Sequence, residues 1–341
     1  MRFKLTKKQT EEERIETVKE LLSEKLSKKN AQYLSERLIK GAESGLEIED
    51  FDDWIGKRLM PQIVWLDKMD YTRAITRALP QALEFAATDF GSARQRDLGQ
   101  LWTDTARGFL GEIGFKEFLQ EKFEKRIEHD ITMDKTLDDY VLSDIEYVID
   151  PNGKKRRPRI NVSVKTGKFN ARWLDEYGSK KASVVDAFVF VRVGTVREHF
   201  VAFLKAISFL RDKLFPEAEK LGELTAQTGK ELWERIPEFE PIPAYVTGYL
   251  MRSEIKLPIH DLRIKVSGRK NRRILITQGV GEFTESVLRE DPRIEEVDPE
   301  GELPIVIDGI NSEVGDSPHF YANTGALDFG IEKWGEFVER L

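Results

Sequence analysis

The chain has 341 residues, with 61 acidic against 54 basic, a net charge of -7 and no cysteine. That length suits one large or two moderate domains, and the missing cysteines exclude disulfides, thiolate chemistry and cysteine-bound zinc. The acidic balance does not advertise nucleic-acid binding, although local basic segments bind DNA on proteins that are acidic overall. No apolar run approaches the roughly 18 residues of a membrane span. The opening stretch, MRFKLTKKQTEEERIE, is too charged for a secretory signal, so the cytoplasm is the expected compartment. Heavy use of Lys and Glu without cysteine leans towards a thermophile.

In chain order, residues 10 to 40 read as two helices. Thr10 and Glu13 fit a capping box, and Ile15, Val18, Leu22 and Leu26 recur at helical spacing. Ala31, Leu34 and Leu38 make a second stripe, stopped by Gly41. More helix is expected over 51–90, with breaks at Pro61 and Pro80. A third long helix is expected over 103–126, despite its three glycines. The stretch YVLSDIEYVID, the turn PNGKKRRP and the strand RINVSVK then read as a β-hairpin. DAFVFVRV (186–193) is apolar enough for a strand buried on both faces, and AYVTGYLM (244–251) and RRILITQG (272–279) are further strands. HFVAFLKAISFLRDKLF is ambiguous in type, and the final FGIEKWGEFVERL is an amphipathic helix. The order predicts an α/β or α+β protein, a mixed sheet flanked by helices, with a helical N-terminal region over 1–100 and the remainder, 101–341, as a second unit.

The chemistry concentrates in three elements. Strand periodicity places Asn161, Ser163 and Lys165 on one face and Ile160, Val162 and Val164 on the other. Setting the hairpin in register puts Asp144 opposite Asn161, within one residue, and brings Asp144, Glu146, Asn161, Ser163 and Lys165 to a common polar face. On the preceding helix Glu112 lies inside the apolar arc of Phe109, Ile113, Leu119 and Phe123, where an uncompensated carboxylate is costly. The bland alternative for Glu112 is an i,i+4 pair with Lys116; for Asp144 and Lys165 taken singly it is a solvent-facing strand charge.

A helix glutamate, a strand aspartate and a lysine one strand later resemble the PD-(D/E)xK nuclease superfamily over about residues 104–195. The resemblance implies a restriction-endonuclease-like fold and a magnesium-dependent endodeoxyribonuclease, with a type II restriction enzyme as the expected kind. It implies Glu112 as the helix acid, Asp144 as the strand aspartate and Lys165 as the lysine that orients or deprotonates water. Mg²⁺ would sit on Glu112 and Asp144, with Glu146 also available. Ser163 departs from the pattern, since it stands where an acid is usual. Either the acid has migrated, with Glu112 or Glu146 filling the coordination shell, or the site is weakened or dead. Migration is the favoured reading, because Glu112 sits where an acid is otherwise hard to explain. A non-catalytic DNA-binding protein on a decayed nuclease scaffold, or a junction or repair nuclease, are the alternatives.

Two basic segments, 154–159 and 263–273, stand out as phosphate contacts or as solvated turns. Arg156, Arg157 and Arg159 in the first, with Lys168, Asn170 and Arg172 after Lys165, are the candidate contacts to double-stranded DNA. The four histidines share no metal-ligand spacing and read as structural or surface residues. Neither a nucleotide-triphosphate motif nor a helicase motif is present, so no nucleotide cofactor is expected. Cutting both strands of a palindrome implies a homodimer, with the N-terminal helices as the dimerisation or DNA-clamping element.

Overall fold

A computed structural model describes residues 9–88, 97–129, 143–177, 184–254, 259–267, 272–310 and 313–341. Helices α1 (Glu11–Ser23) and α2 (Lys28–Ser44) open the chain. The Thr10 hydroxyl accepts from the Glu13 N–H while the Glu13 carboxylate accepts from the Thr10 N–H, so the capping box forms as the sequence predicts. Val18, Leu22, Leu26, Ala31, Leu34 and Leu38 share one apolar cluster with Phe169 and Tyr245 from much later in the chain. Gly41 continues α2 instead of stopping it, and its missing side chain lets the helix lie on the backbone of Asn170.

Strand β1 (Ile63–Leu66) follows a π-helical stretch, Trp54–Leu59, and then α3 (Lys68–Thr88) runs straight through Pro80, where a break is expected from sequence. β1 pairs antiparallel with a strand near residue 245, so the helical N-terminal region also supplies one strand of the central sheet.

Helix α4 (Leu98–Phe123) carries the three glycines, and two of them have a packing reason. A side chain at Gly111 would collide with Thr166, and one at Gly114 with Ala244, so these two glycines seat the helix tightly on the sheet. Strands β2 (Arg126–His129), β3 (Ile145–Ile149) and β4 (Lys155–Arg156) form a small antiparallel sheet. The Pro-Asn-Gly turn is present, with Gly153 at φ +82°, but the hairpin it closes ends at Arg156.

The chain then enters β5 (Val162–Lys168), β6 (Trp173–Tyr177) and β7 (Ala187–Val193). β5 and β7 are parallel neighbours, and the crossover between them contains β6, which leaves for another sheet. The ambiguous segment becomes helix α5 (His199–Ala206) followed by a π-helical turn, Leu210–Leu214, which runs into a short helix, Phe215–Lys220, before helix α6 (Ala226–Arg235). β8 (Ile242–Met251) completes the central sheet in the order β1-β8-β7-β5. β7 is buried on both faces, as its composition predicts: Val189, Val191 and Val193 join the α4 core, while Phe188 and Phe190 face the second sheet.

That second sheet is built around β10. β9 (Ile259–Ser267) lies along one edge of β10 (Arg273–Phe283), while β11 (Ile305–Ile307) and β12 (His319–Asn323) share the other, and β6 joins outside β12. Phe188 of the central sheet stacks on Phe320 of the second, with ring centroids 5.6 Å apart. The amphipathic C-terminal helix α7 (Ile331–Arg340) sends Trp334 against Phe115, Phe118 and Tyr249, which closes the core beneath α4. The result is a mixed α/β fold with a helical N-terminal region. Among the described residues no helix is long and apolar enough to cross a membrane.

Candidate active site at the edge of the central sheet

β5 is an edge strand, and Asp144 closes its open side. The Asp144 N–H donates to the Val162 carbonyl at 2.8 Å, and Oδ2 accepts from the Val164 N–H at 2.6 Å. The carboxylate thus replaces a ladder carbonyl, within reach of the register the sequence predicts. Oδ1 has no hydrogen-bond partner among the described residues. Ser143 reinforces the contact, its hydroxyl accepting from the N–H groups of Val162 and Ile145, each at 3.2 Å.

Glu112 reaches the same place through His129, at the end of β2. The imidazole is buried between two carbonyls: Nδ1 lies 2.8 Å from the Asp144 oxygen and Nε2 lies 2.9 Å from the Glu112 oxygen. The Glu112 carboxylate approaches Nδ1 at 3.9 Å. Burial pushes the His129 pKa down to about 4, Arg77 acts in the same direction, and the two carbonyls pull the other way. The ring is therefore neutral near pH 7. With one N–H, the neutral ring donates to only one of these carbonyls and packs between the backbones of the helix acid and the strand acid. Arg77, on α3, supplies positive charge beside Glu112. Its own burial holds the guanidinium below the ordinary arginine range, and Nη1 is buried without a hydrogen bond. From sequence His129 reads as a structural or surface residue, and the signal for Arg77 is a cation beside the buried stripe Ala74, Ile75 and Ala78.

Lys165 sits one residue beyond Val164. Val162 and Val164 point into the α4 core, so alternation turns Ser163 and Lys165 to the opposite face, towards the second sheet. There Lys165 forms an ion pair with Glu176 of β6, a buried carboxylate that the sequence analysis did not single out. Ser163 is 2 % exposed, and its hydroxyl has no partner. The common polar face expected from sequence is corrected accordingly. Asn161 is taken up in structural contacts, its amide donating to the Val184 carbonyl and its N–H to Asp186. Glu146 lies in the small sheet with Arg157 3.7 Å away. Glu112 and Asp144 meet on one flank of β5, and Lys165 leaves from the other.

The candidate DNA contacts divide. Arg157 is exposed and lies over the Tyr147 ring at 4.8 Å, and Lys168 is exposed. Arg156 donates to the Leu341 carbonyl at 2.6 Å and reaches Asp150, and the exposed Arg159 donates through its N–H to the same carbonyl at 3.1 Å. Arg172 makes a two-point contact with Asp308, 3.0 Å at each nitrogen, and Asn170 packs on Gly41. The second basic segment falls partly outside the described residues.

Among the described residues no three His, Asp or Glu side chains converge as a ready metal cage. Mg²⁺ needs less than that, because it is commonly held by one or two carboxylates, with water and substrate phosphate filling the remaining positions. The Glu112 and Asp144 pair fits that requirement in ligand type. Compared with family models, with curated proteins and with solved structures, the chain matches none.

Proposed function

We propose that the chain is a magnesium-dependent endodeoxyribonuclease with a restriction-endonuclease-like core, of the type II restriction kind, acting on double-stranded DNA in the cytoplasm as a homodimer. The observation that carries this reading is the anchoring of Asp144. Its carboxylate is held on the Val164 N–H, one residue before Lys165, and its carbonyl and that of Glu112 lie against the two nitrogens of the buried His129 ring.

In this reading Glu112 and Asp144 would hold Mg²⁺, which would neutralise charge developing on the scissile phosphate. Asp144 is fixed by the strand edge, so its carboxylate does not have to be ordered when substrate arrives. Lys165, to which the resemblance assigns the attacking water, leaves β5 on the opposite flank, and its ion pair with Glu176 restrains the long side chain. Arg157 and Lys168, both exposed, contact backbone phosphate.

One observation favours the second reading, a DNA-binding protein on a nuclease scaffold without activity. The usual acid position is occupied by a buried serine whose hydroxyl has no partner. Supercoiled plasmid incubated with the chain and Mg²⁺ separates the two. Discrete linear fragments support restriction, nicking or a smear supports a less specific nuclease, and unchanged plasmid retained in a gel shift supports binding alone.

A further inference from the structure

We propose that Glu176 is a positioning residue that acts through Lys165, so that the second sheet completes the reactive site of the first. This rests on the nuclease reading above. Lys165 lies on β5 of the central sheet, whereas Glu176 lies on β6, which pairs with β12 in the second sheet. The Glu176 side chain is 3 % exposed and that of Lys165 is 22 % exposed, so the carboxylate is enclosed and the amine looks outward from it. The ion pair holds Nζ at the Glu176 carboxylate, and an ammonium has three donors, so others remain for a third group.

Other groups near Lys165 do not take over this task. Ser163, two residues earlier on the same strand face, carries no charge and its hydroxyl has no partner. Asp144 is engaged with the Val164 N–H, and Glu146 is beside Arg157. A buried carboxylate facing a lone amine has one further consequence. Without it Lys165 loses both its restraint and its charged partner. The short connection from β5 to β6 makes the arrangement local in sequence although it spans two sheets.

The test is a double-mutant cycle in the full chain with plasmid DNA and Mg²⁺, using Glu176→Gln, Lys165→Ala and the combination. Glu176→Gln keeps the shape of the side chain and is expected to lower kcat about 10- to 100-fold with KM for DNA unchanged. In the Lys165→Ala background the same change should cost less than about 2-fold, the mark of one residue acting through the other. A readout without metal or substrate accompanies it: acylation of Lys165, followed by peptide mass spectrometry, should be several-fold faster in Glu176→Gln than in the unaltered chain. Equal losses in both backgrounds would assign Glu176 a merely structural role and overturn the proposal, as would unchanged acylation. If the unaltered chain does not cleave, or Lys165→Ala cleaves normally, the nuclease reading fails and this proposal with it; the acylation result then shows separately whether the pair itself was at fault.

Discussion

Asp144 bonds the edge of β5 with its side chain, Oδ2 accepting from the Val164 N–H at 2.6 Å. Asp144→Asn is a sharp probe, because the amide oxygen still accepts from the Val164 N–H while the charge is lost. We expect Mg²⁺-dependent cleavage to fall roughly 10²-fold or more with thermal stability nearly unchanged; full activity in that variant removes Asp144 from the site. His199 supports a prediction independent of the nuclease reading. Burial lowers its pKa to about 4, against opposition from Glu240 and Glu198, and Nδ1 accepts from the Val196 N–H at 2.8 Å. The fold favours the neutral ring, so stability is full above the ordinary value of about 6.5 and falls as pH drops towards 4, by on the order of 3 kcal/mol. His199→Asn keeps an acceptor without the titration. Urea unfolding at pH 7 and pH 4.5 should show a smaller difference in that variant, and an equal difference would deny His199 this role.

At the scale of elements, α4 and β5 decide whether the site exists. Their approach depends on Gly111, where a Cβ would come within 1.8 Å of the Thr166 hydroxyl. Gly111→Ala should destabilise by about 1–3 kcal/mol, as overpacking does. Gly108, three residues earlier, has nothing within 4 Å of the same atom, so Gly108→Ala should gain about 0.5–1 kcal/mol from helix propensity alone. Denaturant midpoints for the two variants check the seating directly, and similar effects at both positions would contradict it. The helix was legible in its apolar spacing, yet which glycine serves packing was not, because that depends on a strand more than 40 residues later. The hairpin shows the same limit. Its turn residues announce the reversal, but nothing local says that pairing stops at Arg156 and leaves Asp144 to bond β5 with its side chain.

For the whole molecule, a buried charge cluster links the N-terminal region to the central sheet. Glu47, after α2, meets Arg192 of β7 in an ion pair and has Arg58 of the π-helical stretch 3.9 Å away. Tyr245 and Trp54 donate to its other oxygen at 3.2 and 3.4 Å. Burial alone would raise the Glu47 pKa, but the two arginines hold it below the ordinary carboxylate range. Arg58 also donates to the carbonyl of Thr324, beside the second sheet. Glu47→Gln leaves two buried guanidinium groups short of charge and should cost about 3–5 kcal/mol, with unfolding still a single transition. A second transition, with the N-terminal helices melting first, would contradict this linkage. Arg192 is visible in the sequence as a charge within an apolar strand, but Glu47 is 145 residues away and its partnership follows only from the fold. Supercoiled plasmid with the unaltered chain and with Asp144→Asn, each with and without Mg²⁺, tests the proposed metal-dependent nuclease site directly. Discrete cleavage by the unaltered chain is expected only when Mg²⁺ is present, and none by the variant. Intact plasmid in all four reactions, or equal cleavage by both proteins, would contradict it.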